Sequence, residues 1–231
     1  MKKSTLLATP IPQLPRPKAV LSSVPDRQTR RKMETHAKLL NAAYELSSMK
    51  GLENCSIQEI TSRADVGFGS FYNYFASKQE LLDAMIAEQI TPFADALDRL
   101  DETLSDPAEI MSTSMRHVLS RAQKDRKWGW FLVRLGMLSL IAGFGPRLER
   151  DILRGVESGR FTVQDLQLTM LMLNGGGIAV MTKQLMSGID KNVPERYATL
   201  VLVLLGVPLQ EAAKIARKRL PPLKIAGVTG R

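Results

Sequence analysis

Cysteine is nearly absent. Cys55 stands alone among 231 residues, so no disulfide can form within one chain, and a reducing, cytoplasmic setting is expected. Histidine is almost as scarce, with only His36 and His117. No pair of histidines sits at metal-binding helical spacing, no Gly-x-Ser-x-Gly elbow occurs, and no phosphate loop ending in Gly-Lys-Ser/Thr occurs. Catalysis, a metal and a cofactor are therefore not expected. Long hydrophobic runs are missing too. The stretch from Phe131 to Gly145 is apolar except for Arg134 but shorter than the roughly 20 residues that span a bilayer. The stretch from Leu166 to Met181 is interrupted by Asn174 and by three glycines, so both read as buried helices and no membrane partner is expected. Lys2 and Lys3 begin like a signal peptide, but Pro10, Pro12, Pro15 and Pro17 break the apolar segment that would have to follow. Sustained strand alternation is absent throughout.

What the chain does contain is 44% hydrophobic and 24% charged residues, enough for a sizeable core. Its formal charge of +9 is unevenly placed. Residues 1–50 hold ten Lys/Arg against three Asp/Glu, residues 51–210 sixteen against nineteen, and residues 211–231 six against one. A mildly acidic body thus carries two basic ends. Residues 1–28, with Pro25 added to the prolines above, read as a disordered basic extension, either a phosphate-binding arm or a solvated tail. Residues 221–231 form a basic tail.

The rest reads as all-α. Leu39, Ala42, Ala43 and Leu46 make one apolar face of a helix from about Thr29 to Lys50, which Gly51 ends. Ser56 with Glu59 is a capping box that opens a second helix, and Asp65 stands at a turn where a left-handed backbone is often needed. A third helix is confined to about Gly67–Phe75, and Ser77 with Glu80 forms a second capping box opening a fourth helix at Lys78. Further helices are expected at 107–123, 128–142, 146–157, 163–187, 194–205 and 208–219. Thr162 and Pro208 mark two of the starts.

The segment Ser56–Lys78 carries the chemistry. Two short helices joined by a tight turn suit insertion of the second helix into a DNA major groove. Phe71 and Phe75, four apart, should face the core. Ser70, Tyr72, Asn73 and Tyr74 can then project toward phosphates and base edges, while Lys78 and the helix end beside it can hold one phosphate. Taken alone, the Phe-Tyr-Asn-Tyr-Phe cluster would more often be packing; the capped helix before it and Ser77-Lys78 after it favour recognition.

At these residues the chain resembles the TetR family of bacterial transcriptional regulators, over about Lys32–Phe93. The markers are Leu39-Leu40, Ala42-Ala43, Gly51, Ser56-Ile57, Ile60, Ala64, Val66, Ser70-Phe71-Tyr72, Tyr74-Phe75, Ser77-Lys78 and Leu81-Leu82. The resemblance implies DNA contacts by Gln58, Gly67, Phe68, Ser70, Tyr72, Asn73, Tyr74 and Lys78. Ser47, Thr61, Asp65 and Phe68 depart from the family's usual residues, and Phe68 could touch a thymine methyl where a polar side chain is common.

The resemblance also implies a division into a DNA-binding domain at 29–77 and a helical effector-binding and dimerisation domain at 78–220. Large adaptable side chains with a few polar ones nominate an effector pocket: Met111, Met115, His117, Trp128, Phe131, Arg134, Met137, Phe144, Met170 and Asn174. A glycine run at 175–177 in the helix 163–187 points to a close approach by a partner helix, a ligand or a kink. Gly177, Met181, Tyr197, Val201 and Leu204 are the expected dimer contacts. The expectation is a cytoplasmic, nucleoid-associated homodimer on a pseudo-palindromic double-stranded operator, a repressor released by an unknown small-molecule effector. The alternative is a DNA-binding regulator without such an effector, controlled by a protein partner or purely architectural.

Overall fold

The computed structural model describes residues 26–136, 144–188 and 190–225. Among them every element is helical. Helix α1 spans Arg27–Lys50 and starts inside the expected extension, because the Asp26 carboxylate accepts from the Thr29 N–H at 2.6 Å. Helix α2 follows at Ile57–Ala64, then a 3₁₀ segment at Phe68–Asn73, then α3 at Lys78–Gln89 and α4 at Thr91–Asp101. The break between α3 and α4 falls at Ile90, just before Pro92, which has no N–H to continue the ladder.

The larger part comprises α5 (Pro107–Lys124), α6 (Arg126–Leu135), α7 (Gly145–Glu157), α8 (Leu166–Ser187), α9 (Val193–Leu204) and α10 (Leu209–Ala216). Helix α5 is the axis and packs on α6, α7, α8, α9 and α10. Three boundaries differ from expectation. Helix α6 stops at Leu135 because Gly136 takes a positive φ of 53°; positions 137–142 of the expected helix lie outside the described residues. Helix α8 is capped by Asp165, whose carboxylate accepts from Leu168 N–H at 2.9 Å, whereas Thr162 N–H is committed to the Leu205 carbonyl. Helix α10 ends at Ala216, ahead of Pro221 and Pro222.

The buried residues form one continuous cluster running from Leu39 and Phe71 near the start of the chain to Ile215 in α10. The joint between its two parts is α1 against α6. There Tyr44 meets the Phe131 ring edge-on at 5.1 Å, and Lys127 lies over Tyr44 at 4.7 Å with its ammonium 3.4 Å from Glu45. Trp128 is fully buried and donates its indole N–H to the Gln89 carbonyl at 3.0 Å, tying α6 to the end of α3.

Candidate DNA-binding surface and effector pocket

Helix α2 has only eight residues and depends on its cap. The Glu59 N–H donates to Ser56 Oγ at 3.1 Å and the Ser56 N–H returns a bond to Glu59 Oε2 at 2.8 Å. Lys50, with its ammonium 2.6 Å from Glu59, and the Ser56 N–H hold the Glu59 carboxyl down at about 2. At the far end Asp65 adopts φ 54° and ψ 52°, the left-handed geometry expected of it, and the Val66 N–H closes onto the Thr61 carbonyl at 3.0 Å.

The reading segment differs from the expected α-helix. Phe68–Asn73 is 3₁₀, with Ser70 N–H bonded to the Gly67 carbonyl and Tyr74 N–H to the Phe71 carbonyl, each at 2.9 Å. Gly69 in the first turn, after Gly67 at the cap, lowers α propensity, and the segment is too short to offset that. The second capping box is also altered: Ser77 Oγ caps Glu80 N–H, but the Glu80 carboxylate takes the Ala76 N–H at 2.5 Å instead of Ser77's own.

Side chains nevertheless divide cleanly. Phe71 and Phe75 are buried, while Gln58, Gly67, Phe68, Tyr72 and Asn73 are exposed and Ser70, Tyr74 and Lys78 half-buried. The Phe68 and Tyr72 rings meet edge-on at 6.2 Å on the outer surface. The Lys78 ammonium reaches the Glu53 carbonyl at 3.3 Å, near the start of α3. The surface offered to solvent is thus aromatic, hydroxylated and basic at its edge, which suits phosphate oxygens and base edges.

A second feature lies in the larger part. A cavity of about 80 Å³, partly open to solvent, sits among α4, α5, α6, α7 and α8. Leu97, Met111, Met115, Val118, Leu132, Phe144, Leu148, Leu173 and Met181 make its apolar wall, and Ser114, Arg147, Asp151 and Asn174 its polar one. Arg147 is anchored from behind. It donates to the carboxylates of Asp98 and Asp101, to the Ala94 carbonyl at 3.3 Å and to Ser114 Oγ at 3.3 Å, and its Nε stands 3.8 Å from Asp151. Arg150 adds bonds to Asp98 at 2.6 Å and Asp151 at 3.2 Å. Three carboxylates therefore face two guanidiniums. Burial lifts Asp101 to about 6 and raises Asp151 as well, and Asp101 Oδ1 has no hydrogen-bond partner. Such a wall accepts a further donor more readily than a further acceptor.

The expected pocket residues are distributed unevenly. Met111, Met115, Phe144 and Asn174 line the cavity. Trp128 and Met170 are packed in the core away from it, Phe131 and Arg134 face a different cleft beside α3, and Met137 lies outside the described residues. His117 is buried toward the C-terminal segment at Pro221, and burial holds it down at about 4. Sequence reasoning missed Ser114, Arg147 and Asp151. The available signal was an Arg-Asp pair at i, i+4 beside Leu148 and Ile152, on the apolar face of α7.

The expected dimer contacts also separate. Tyr197 and Val201 are buried within one chain, and Gly177 and Met181 line the cavity; only Leu204 is exposed. The close approach at the glycine run comes from inside the chain: Tyr197 donates to the Leu173 carbonyl at 2.5 Å, and a Cβ on Gly176 would stand 3.2 Å from its hydroxyl oxygen. The apolar face left open lies one face further round the same helices, at Leu168, Leu171 and Met172 of α8 and Leu200, Val203 and Leu204 of α9. Among the described residues no helix is long and apolar enough to cross a membrane, and no group of three His, Cys, Asp or Glu could hold a metal ion.

Comparison with known proteins joins these features. Residues 39–85 match the family described as bacterial regulatory proteins, tetR family, and residues 106–218 match a tetracyclin repressor-like C-terminal domain. The chain is 39% identical over 71 residues to YvdT, an uncharacterized HTH-type transcriptional regulator of Bacillus subtilis, a match covering 31% of this chain and 35% of YvdT. It is 30% identical over 159 residues to the HTH-type transcriptional regulator CymR of Pseudomonas putida, covering 64% of this chain and 70% of CymR. Among solved structures, RolR in complex with resorcinol is 36% identical with a TM-score of 0.67, covering 84% of this chain and 99% of RolR. A capped helix-turn-helix, a helical body with a pocket and likeness across both lead to one assignment: the chain belongs to the TetR family of DNA-binding bacterial transcriptional regulators.

Proposed function

We propose that the chain is a homodimeric repressor, which leaves its pseudo-palindromic operator when a small hydroxylated aromatic molecule enters the cavity behind α6. In this reading residues 29–77 read DNA, residues 78–220 sense the effector and pair the protomers, and the protein works on the chromosome in the cytoplasm. Gln58, Phe68, Tyr72, Asn73 and Lys78 make the DNA contacts, with Gly67 admitting the backbone and Ser70 and Tyr74 supporting them. The face at Leu168, Leu171, Leu200 and Leu204 joins the protomers, since an apolar face shared by two helices marks an interaction surface.

The observation that carries the reading is α6. Leu132 lines the cavity, and its neighbour Phe131 packs on Tyr44 in α1, the helix that supports α2. Successive helical residues point about 100° apart, so one helix touches effector and DNA reader on different faces. The cavity's 80 Å³ is smaller than the roughly 150 Å³ that holds a benzene ring, so a ring that enters must push its walls. Movement of Leu132 is thereby delivered to Tyr44, and the two recognition segments of the dimer lose their spacing. The class of effector follows from the walls. Apolar residues enclose a ring, Asp151 accepts from a hydroxyl, and Ser114, whose oxygen already takes an Arg147 bond, can donate its own proton to the hydroxyl oxygen. RolR, solved with the diol resorcinol, supports the same class.

The test is fluorescence anisotropy on a duplex selected from random DNA by the protein itself. Resorcinol and related phenols are expected to release the duplex, and Asp151→Asn to raise the concentration required at least about tenfold, the equivalent of one charged hydrogen bond. Retention of DNA at saturating concentrations of every phenol that shifts the melting temperature would refute effector release.

A further inference from the structure

A second cleft lies on the other side of α6, where it meets the DNA reader. It has a volume of about 240 Å³ and is bounded by α1, the turn after it, the start of α3 and α6. Ser47 leaves it open from the α1 side: the residue is buried, and its hydroxyl is turned away into a 3.1 Å bond to the Tyr44 carbonyl. Leu52, Leu82, Phe131 and Leu135 supply an apolar lining. Two cations complete it. Arg134 lies over the Trp130 ring at 4.4 Å, and its Nη1 is buried with no acceptor. The Lys78 ammonium has the Glu53 carbonyl at 3.3 Å. Among the described residues Glu53 is the only acidic one at the rim, and its carboxylate is folded back over Gly51, where Oε1 accepts from Asn54 at 3.0 Å.

A guanidinium and an ammonium set in an otherwise apolar lining suit a carboxylate, which pairs with both. We propose that this cleft is a second small-molecule site, taking an amphipathic carboxylate whose apolar body lies on Leu82, Phe131 and Leu135 and whose carboxylate sits between Arg134 and Lys78. Phosphate would match the charges but leave the apolar lining wet, so an organic monoanion fits better. The site is separate from the effector cavity, because Phe131 and Arg134 face it from one side of α6 while Leu132 faces the other. Where Lys78 also holds a DNA phosphate, the bound anion competes for that ammonium. Anion and DNA then weaken each other reciprocally.

The probe is benzoate, titrated by isothermal calorimetry into the full chain without DNA, with inorganic phosphate as the comparison. The expected result is saturable benzoate binding in the millimolar range or tighter, with phosphate weaker by at least about tenfold. Arg134→Gln, checked for unchanged helicity, should weaken benzoate at least about tenfold and leave resorcinol affinity as it was. Ser47→Phe, which fills the cleft, should abolish benzoate binding; if it does not fold, Arg134→Gln alone carries the test. Absence of benzoate binding, equal binding of phosphate, or unchanged affinity in Arg134→Gln would each overturn the proposal. None of these readouts depends on effector release from DNA, so the two readings fail separately.

Discussion

Phe71 and Tyr72 are neighbours in sequence, and they should respond in opposite ways to the same truncation. Phe71 is fully buried and packs on the Tyr72 and Phe75 rings at 5.3 and 5.7 Å. Removing such a ring from a core costs about 3–5 kcal/mol, and a chain of this size loses about 2–4 °C of melting temperature per kcal/mol. Phe71→Ala should therefore melt roughly 6–20 °C lower, with lost DNA binding as a by-product. Tyr72 is 55% exposed, so Tyr72→Ala should cost under about 1 kcal/mol of stability. Its loss should appear in binding instead. A hydroxyl bond to a phosphate contributes about 1.5 kcal/mol, the proposed dimer would make it twice, and the duplex Kd should then rise on the order of 100-fold. Calorimetric melting and anisotropy on the selected duplex measure both quantities on the same samples. A Tyr72→Ala melting loss as large as that of Phe71→Ala would show the ring to be packing. A Kd within threefold of the parent would remove Tyr72 from the DNA surface.

Other consequences are equally direct. Lys78→Gln should lower the slope of log Kd against log salt by about 1 per half-site while leaving sequence preference intact, measured by anisotropy at several salt concentrations. His117 is held down at about 4 by burial, so between pH 6.5 and 4 the unfolded chain takes a proton that the folded chain refuses. Stability is then lost as pH falls through that window, by up to about 3 kcal/mol, and His117→Gln should flatten the loss in urea melts run across pH. Asp101 works with the opposite sign. Burial lifts it to about 6, the folded chain takes its proton first, and stability gains as pH falls from 6 toward 4. Asp101→Asn removes that gain, so its acid loss should be steeper than the parent's in the same melts.

Much of the DNA-reading unit was legible because its information is local. Ser56 and Glu59 cap a helix three residues apart, Asp65 takes the backbone its short polar side chain tolerates, and Phe71 and Phe75 share one face through their spacing alone. The 3₁₀ geometry was not legible, since periodicity over six residues fits either helix and only the glycines bias the choice. The cavity was legible in fragments. Met115 and Asn174 follow from residue type, whereas Arg147 reaches the wall only because α7 packs on α5, with Asp98 and Asp101 behind it on α4. The same limit applies at the glycine run. Its composition announces a close neighbour, but the neighbour, Tyr197, comes from twenty residues downstream and could as well have come from another protomer.

Phe68 and Tyr72 have a consequence away from DNA. Two large rings standing together in solvent form a sticky spot, which neighbouring copies could share whenever the operator is vacant. The net charge of +9 opposes such association, and repulsion of that kind reaches about 10 Å in 0.1 M salt but only about 3 Å in 1 M. The salt that strips the protein from nucleic acid during purification therefore also removes its colloidal protection. The vacant protein should keep best at moderate ionic strength, or with a short duplex shielding the two rings.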